Sequence, residues 1–110
     1  MSSGGPSGRS ELRLAELSRA LGSADPRARA AAAARAGSEP GAETMLMLVL
    51  TDEEALVRLA AIRALADISG PRATRAIMRV AATDPSPEVR AEAVTAVGKA
   101  LAAAVRRAET

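Results

Sequence analysis

The chain contains no Phe, Tyr or Trp, no Cys, no His, and no Asn or Gln. Each absence removes a class of chemistry. Without Cys there is no disulfide, no thiol nucleophile and no thiolate metal ligand. Without His the commonest general acid–base side chain is gone. Without aromatic rings there is no stacking platform for single-stranded nucleic acid, and a core has to be assembled from Leu, Val, Ile, Met and Ala. No apolar run approaches the roughly 20 residues of a membrane span. The opening MSSGGPSGRS lacks the apolar stretch of a secretory signal, so the cytoplasm is the default compartment.

What remains is an alphabet for helices. Ala supplies about a quarter of the residues, and Arg outnumbers Lys fourteen to one; Ala, Leu and Arg are all strong helix formers. The codons for Ala, Arg, Gly and Pro point to a GC-rich bacterial genome. The sequence pI near 10.4 overstates the basic character. The formal net charge is only +2, from 15 basic and 13 acidic residues, and almost nothing titrates between the carboxylates and the guanidinium groups. The chain is not read as a polybasic nucleic-acid or membrane binder.

Residues 1–9 are Ser, Gly and Pro with one charge and read as a disordered tail. Residues 10–110 read as the folded domain. Leu14, Leu17 and Leu21 mark one face of a leading helix. Gly22 ends it, and Asp25 followed by Pro26 starts a helix to Ala36. The run Met45-Leu46-Met47-Leu48-Val49-Leu50 fits a helix from Ala42 to Leu50, although a buried strand has the same local pattern. Asp52 is a candidate cap for a helix to Ile68, with Glu53 and Glu54 in its first turn. Ser69-Gly70-Pro71 breaks the chain before a helix from Arg72 to Ala82. Asp84-Pro85 precedes a long last helix that Gly98 could kink.

The chain repeats itself. Thr51-Asp52, Val57-Arg58, Ala61-Ile62 and Ala64-Leu65 recur thirty-two residues later as Thr83-Asp84, Val89-Arg90, Ala93-Val94 and Ala96-Val97. A looser copy begins at Asp25, with Ala28-Arg29 and Ala32, two residues shorter between Asp and Arg. The second helices align as Met45-Leu46 and Leu48 with Ile77-Met78 and Val80, which favours helix over strand for the apolar run. Two helices per unit at this period predict an all-α solenoid of two to three helical hairpins, led by one helix and closed by a long one. One hairpin cannot bury its apolar face alone; stacked copies share one core.

The pattern of Asp52, Val57, Arg58, Ala61, Ala64 and Leu65, repeated at Asp84, Val89, Arg90, Ala93, Ala96 and Val97, resembles the short bacterial HEAT-like repeat of phycobilisome-lyase-like and small adaptor proteins. The resemblance runs from Leu12 to Leu101, with the copy at Asp25 departing from it. It implies that Arg58 and Arg90 join a ladder with Asp52, Asp84 and Asp25 of neighbouring units. It also implies that second helices line a concave binding face.

Nothing in the sequence suggests a catalytic, cofactor or metal site. Asp52, Glu53 and Glu54 lack the spaced oxygen ligands of a calcium loop. Two features stand out as docking surface. Arg72, Arg75 and Arg79 form one stripe on one helix with no carboxylate among them, either a solvated face or a patch for an acidic partner. The apolar run around Met47 is either sandwiched between neighbours or partly exposed. The expected function is a non-catalytic adaptor or accessory subunit that docks on an enzyme or multi-protein complex through its concave helical face, with an acidic partner surface meeting Arg72, Arg75, Arg79, Glu43 and Met47. Phosphate binding on a nucleic-acid backbone is the minor alternative. A homo-oligomer is a third, since Leu12, Leu14, Leu17 and Leu21 at one end and Leu101 and Val105 at the other look partly shielded.

Overall fold

The computed structural model describes residues 5–109. They form six helices: α1 (Gly5–Leu21), α2 (Pro26–Ala36), α3 (Glu43–Val49), α4 (Ala55–Ile68), α5 (Pro71–Thr83) and α6 (Pro87–Glu109). Among these residues there is no strand, so the apolar run of α3 is helical, and no helix is long and apolar enough to cross a membrane. Helix α1 starts at Gly5, ahead of the expected start at Ser10. Residues 5–9 are therefore helical where a structureless tail was expected; residues 1–4 of that tail lie outside the described residues.

Two layers build the molecule. Helices α2, α4 and α6, the first helices of successive units, pack side by side, α2 on α4 and α4 on α6. Helices α3 and α5 form the second layer, each wedged between the first helix of its own unit and that of the next. Helix α1 packs on α2 as α3 packs on α4 and α5 on α6, so it takes a second-helix place at the head of the stack. The result is a plate of 49 × 43 × 15 Å.

Small side chains allow this stacking. Ala32, Ala33 and Ala36 of α2, Ala61, Ala64 and Ala66 of α4, and Ala93, Ala96 and Ala100 of α6 are all buried. Larger pieces fill the space between layers: Leu46, Val57, Ile62, Leu65, Ile77 and Val89 are the largest fully buried side chains. Val57 and Val89 occupy equivalent sites and neither is exposed at all, as the thirty-two-residue repeat requires. A Cβ on Gly37 would lie 3.1 Å from that of Ala64, so the end of α2 comes as near to α4 as a side chain allows.

Several local expectations need correction. Asp25 does cap α2, accepting the Arg27 N–H at 3.0 Å, with Pro26 in the first turn. Asp52 does not cap α4. That helix begins at Ala55, its cap residue is Glu54 without a side-chain bond, and Glu53 and Glu54 precede the first turn. Burial pairs Ala42 with Ala73 and Leu46 with Ile77, an offset of thirty-one rather than thirty-two. The second helices are thus shifted one residue against the first, which leaves Met78 exposed instead of opposite Leu46. Helix α6 runs unbroken through Gly98. Its far end is tied down by Arg107, which donates to the Oγ and the carbonyl of Ser69 at 3.0 and 3.2 Å. Ser69 ends α4 in the left-handed region (φ 52°).

Val89→Asp would strand a charge in the centre of this core and is expected to destabilise the chain by several kcal/mol, about 3 or more. The exposed substitution Thr95→Asp on the same helix should change stability by no more than roughly 0.5 kcal/mol. Urea denaturation of the two variants checks the contrast; equal midpoints would contradict the repeat register.

Candidate docking site

Each turn between units carries a carboxylate or hydroxyl, and each following helix sends an arginine back to it. Arg58 of α4 donates from Nη1 to the carbonyl of Asp52 at 2.9 Å, six residues back. Its Nε and Nη2 grip both oxygens of Asp84, in the next turn, at 2.8 and 3.0 Å. Arg29 of α2 repeats the arrangement with the Ser23 carbonyl at 2.8 Å and with both Asp52 oxygens at 2.9 and 3.2 Å. Two-pronged guanidinium–carboxylate pairs of this kind fix orientation as well as charge. The expected ladder therefore exists, but its members are Arg29–Asp52 and Arg58–Asp84. Asp25 is outside it, and Ser23 stands in the equivalent turn. The Ser23 Oγ accepts the Asp25 N–H at 3.1 Å, as Asp52 and Asp84 accept those of Glu54 and Ser86 at 2.9 Å.

Burial is the largest single influence on Asp52 and Asp84, and it pushes their pKa values up. The opposing set wins. Hydrogen bonds from Arg29 or Arg58, the backbone N–H two residues on, and the nearby guanidinium charges hold both carboxyls below the usual carboxylate range. Both oxygens of Asp52 are engaged by Arg29, so the trio of Asp52, Glu53 and Glu54 is no free ligand set.

Beside the Arg58–Asp84 pair lies a groove of about 360 Å³ between α3 and α5. Met47 and Leu50 form one apolar wall, Ala76 and Val80 the other, and Arg79 stands among its lining residues. The arginine stripe is real in geometry but not uniform in charge. Arg72, Arg75 and Arg79 are all exposed, yet Arg72 Nη1 lies 3.4 Å from Glu43 Oε1 on α3. A carboxylate twenty-nine residues away in sequence thus interrupts the stripe that looked free of one. Arg75 and Arg79 have no side-chain hydrogen bond or ion pair among the described residues. Glu43 and Arg72 therefore meet each other, Met47 and Arg79 share the groove, and Arg75 stands on α5 between the two pairs.

The apolar run of α3 is neither wholly sandwiched nor wholly exposed. Leu46 and Leu50 are buried, Met45, Met47 and Val49 are partly so, and Leu48 is 71% exposed. Met78 on α5 is 53% exposed. Met78 escaped the sequence reading because the one-residue shift of the second helices hid its outward position.

A layered stack of two-helix units joined by a repeated arginine–carboxylate contact defines an α-solenoid. The model for HEAT repeats matches residues 42–107, more than half of the chain, and the chain belongs to the HEAT-repeat family. That match carries the family and not the phycobilisome-lyase-like subtype. No curated protein matches the chain.

Because both ladder carboxyls have lowered pKa values in the folded chain, their contribution to stability is complete above the ordinary carboxylate pKa of about 4. It is lost as the pH falls through the lower folded values. The urea midpoint should therefore drop on acidification below about pH 4, and Asp52→Asn should start lower and drop less steeply. Parallel curves for the two proteins would contradict the assignment.

Proposed function

We propose that this HEAT-repeat chain is a non-catalytic adaptor or accessory subunit that docks an acidic protein surface on the layer formed by α3 and α5. HEAT repeats serve generally as protein-interaction modules. The observation that carries the reading is the pairing of an apolar groove with unneutralised charge: Met47, Leu50, Ala76 and Val80 line it together with Arg79, and Arg75 stands one turn away on the same exposed face. Met is an adaptable contact residue. Rim arginines steer an acidic partner into register and reject basic ones. Glu43 and Arg72 satisfy each other at the edge of this face and bound the docking area on one side.

The test has two parts. Cross-linking mass spectrometry on the tagged chain should identify one protein held at fixed stoichiometry. The double substitution Arg75→Glu with Arg79→Glu should then leave folding within roughly 0.5 kcal/mol, since both side chains are exposed. It should weaken binding of that purified partner by about tenfold or more. Unchanged affinity would make the stripe a solvated face. Capture of duplex nucleic acid instead, with affinity falling steeply in salt, would favour backbone-phosphate binding.

A further inference from the structure

The groove beside the Arg58–Asp84 pair has a counterpart one unit earlier. A second groove of about 400 Å³ lies between the end of α1 and α3, lined by Ser18, Leu21, Met45, Leu48 and Val49. The two are one site repeated. Equating the Ser23 and Asp52 turns places Ser18 with Met47 and Leu21 with Leu50. The thirty-one-residue offset of α3 and α5 places Met45, Leu48 and Val49 with Ala76, Arg79 and Val80, which line the groove between α3 and α5. The repeat thus carves two parallel apolar troughs into one layer. At the rim, the exposed Leu48 of the first stands where the second has the exposed Arg79.

Neither trough suits a helix laid along it. Helix α3 forms a wall of both and has only seven residues, about 10 Å of length. A segment that crosses the helices meets both troughs instead. Packed helices stand roughly 10 Å apart, and extended chain covers that distance in about three residues at ~3.3 Å each. Further units of a solenoid add at the ends of its layers, beside α1 or beyond α5 and α6. Such units leave these troughs open, because both walls of each are already present.

Resting on the acidic docking face proposed above, we infer that its ligand is an extended peptide segment of a partner protein that crosses α1, α3 and α5. The segment carries two apolar side chains three residues apart and a carboxylate flanking one of them. One apolar side chain enters between Leu21 and Leu48, the other between Met47 and Val80. The carboxylate lies on the α5 side, against Arg79 and Arg75, which have no side-chain hydrogen bond or ion pair among the described residues. At the equivalent place on α3, Leu48 offers a carboxylate no ion partner. The surface therefore reads charge on one side of the apolar pair only.

The probe is a phage-displayed library of random peptides of about 12 residues, enough to cross all three helices, selected on the immobilised full chain. Enriched peptides are expected to carry two apolar residues three apart, with an acidic residue flanking one side of the pair. Selection on Arg75→Ser with Arg79→Leu should keep the pair and lose the acid. Selection on Leu48→Arg should add an acid on the other side. All three side chains are exposed, and unchanged urea midpoints check that the variants fold. An enriched peptide carrying a fluorescent label should bind the Arg75→Ser, Arg79→Leu chain about tenfold or more weakly by fluorescence polarisation. Enrichment of no peptide would overturn this inference and leave the docking face to the purified-partner test. Acidic peptides without the spaced pair, lost with Arg75→Glu and Arg79→Glu, would overturn the inference and keep the docking face. Peptides indifferent to every one of these substitutions would overturn both.

Discussion

The guanidinium of Arg58 reaches in two directions at once, to the backbone of its own turn and to the carboxylate of the next. The rest of the stack depends on that double grip. It is almost dry: the side chains of Arg58 and Asp84 are only 11% and 5% exposed. Removing one partner of such a buried pair costs about 3–5 kcal/mol, because the other is left charged and unpaired. Intact, the pair contributes much less net stability, since desolvation offsets most of the attraction. Its main effect is positional. A one-residue slip of α6 against α4 would carry Asp84 out of the fork.

That positional role suits a core made so largely of alanine. Each buried Ala removes little apolar surface from water, and a face of Ala presents few knobs to lock one helix against another. Ala32, Ala33, Ala61, Ala64, Ala93 and Ala96 allow α2, α4 and α6 to approach closely without fixing how far each helix slides. Ile62, Leu65, Val57 and Val89 supply shape, and the two-pronged pairs supply register.

Much of this was legible in the residues, and the rest was hidden for physical reasons. The thirty-two-residue recurrence of Val57-Arg58 at Val89-Arg90 located the first helices and their buried faces. The second helices were misaligned by one residue because their connections differ in length, and side-chain type alone does not register such a shift in an apolar run. Asp25 looked like the first rung of the ladder because it precedes a helix, as Asp52 and Asp84 do. Ser23 takes that place instead, its Oγ accepting the same backbone N–H, while Asp25 caps α2. The neutralisation of Arg72 by Glu43 joins two helices far apart in sequence, and local spacing carries no trace of it.

A double-mutant cycle on Arg58→Ala and Asp84→Ala, followed by urea denaturation, tests the registering contact most directly. Direct coupling through the buried fork predicts that the two single losses are each large and far from additive, with an interaction energy of about 1–3 kcal/mol. Additive losses, with a coupling within about 0.3–0.5 kcal/mol of zero, would show that the alanine-rich layers hold their register without it.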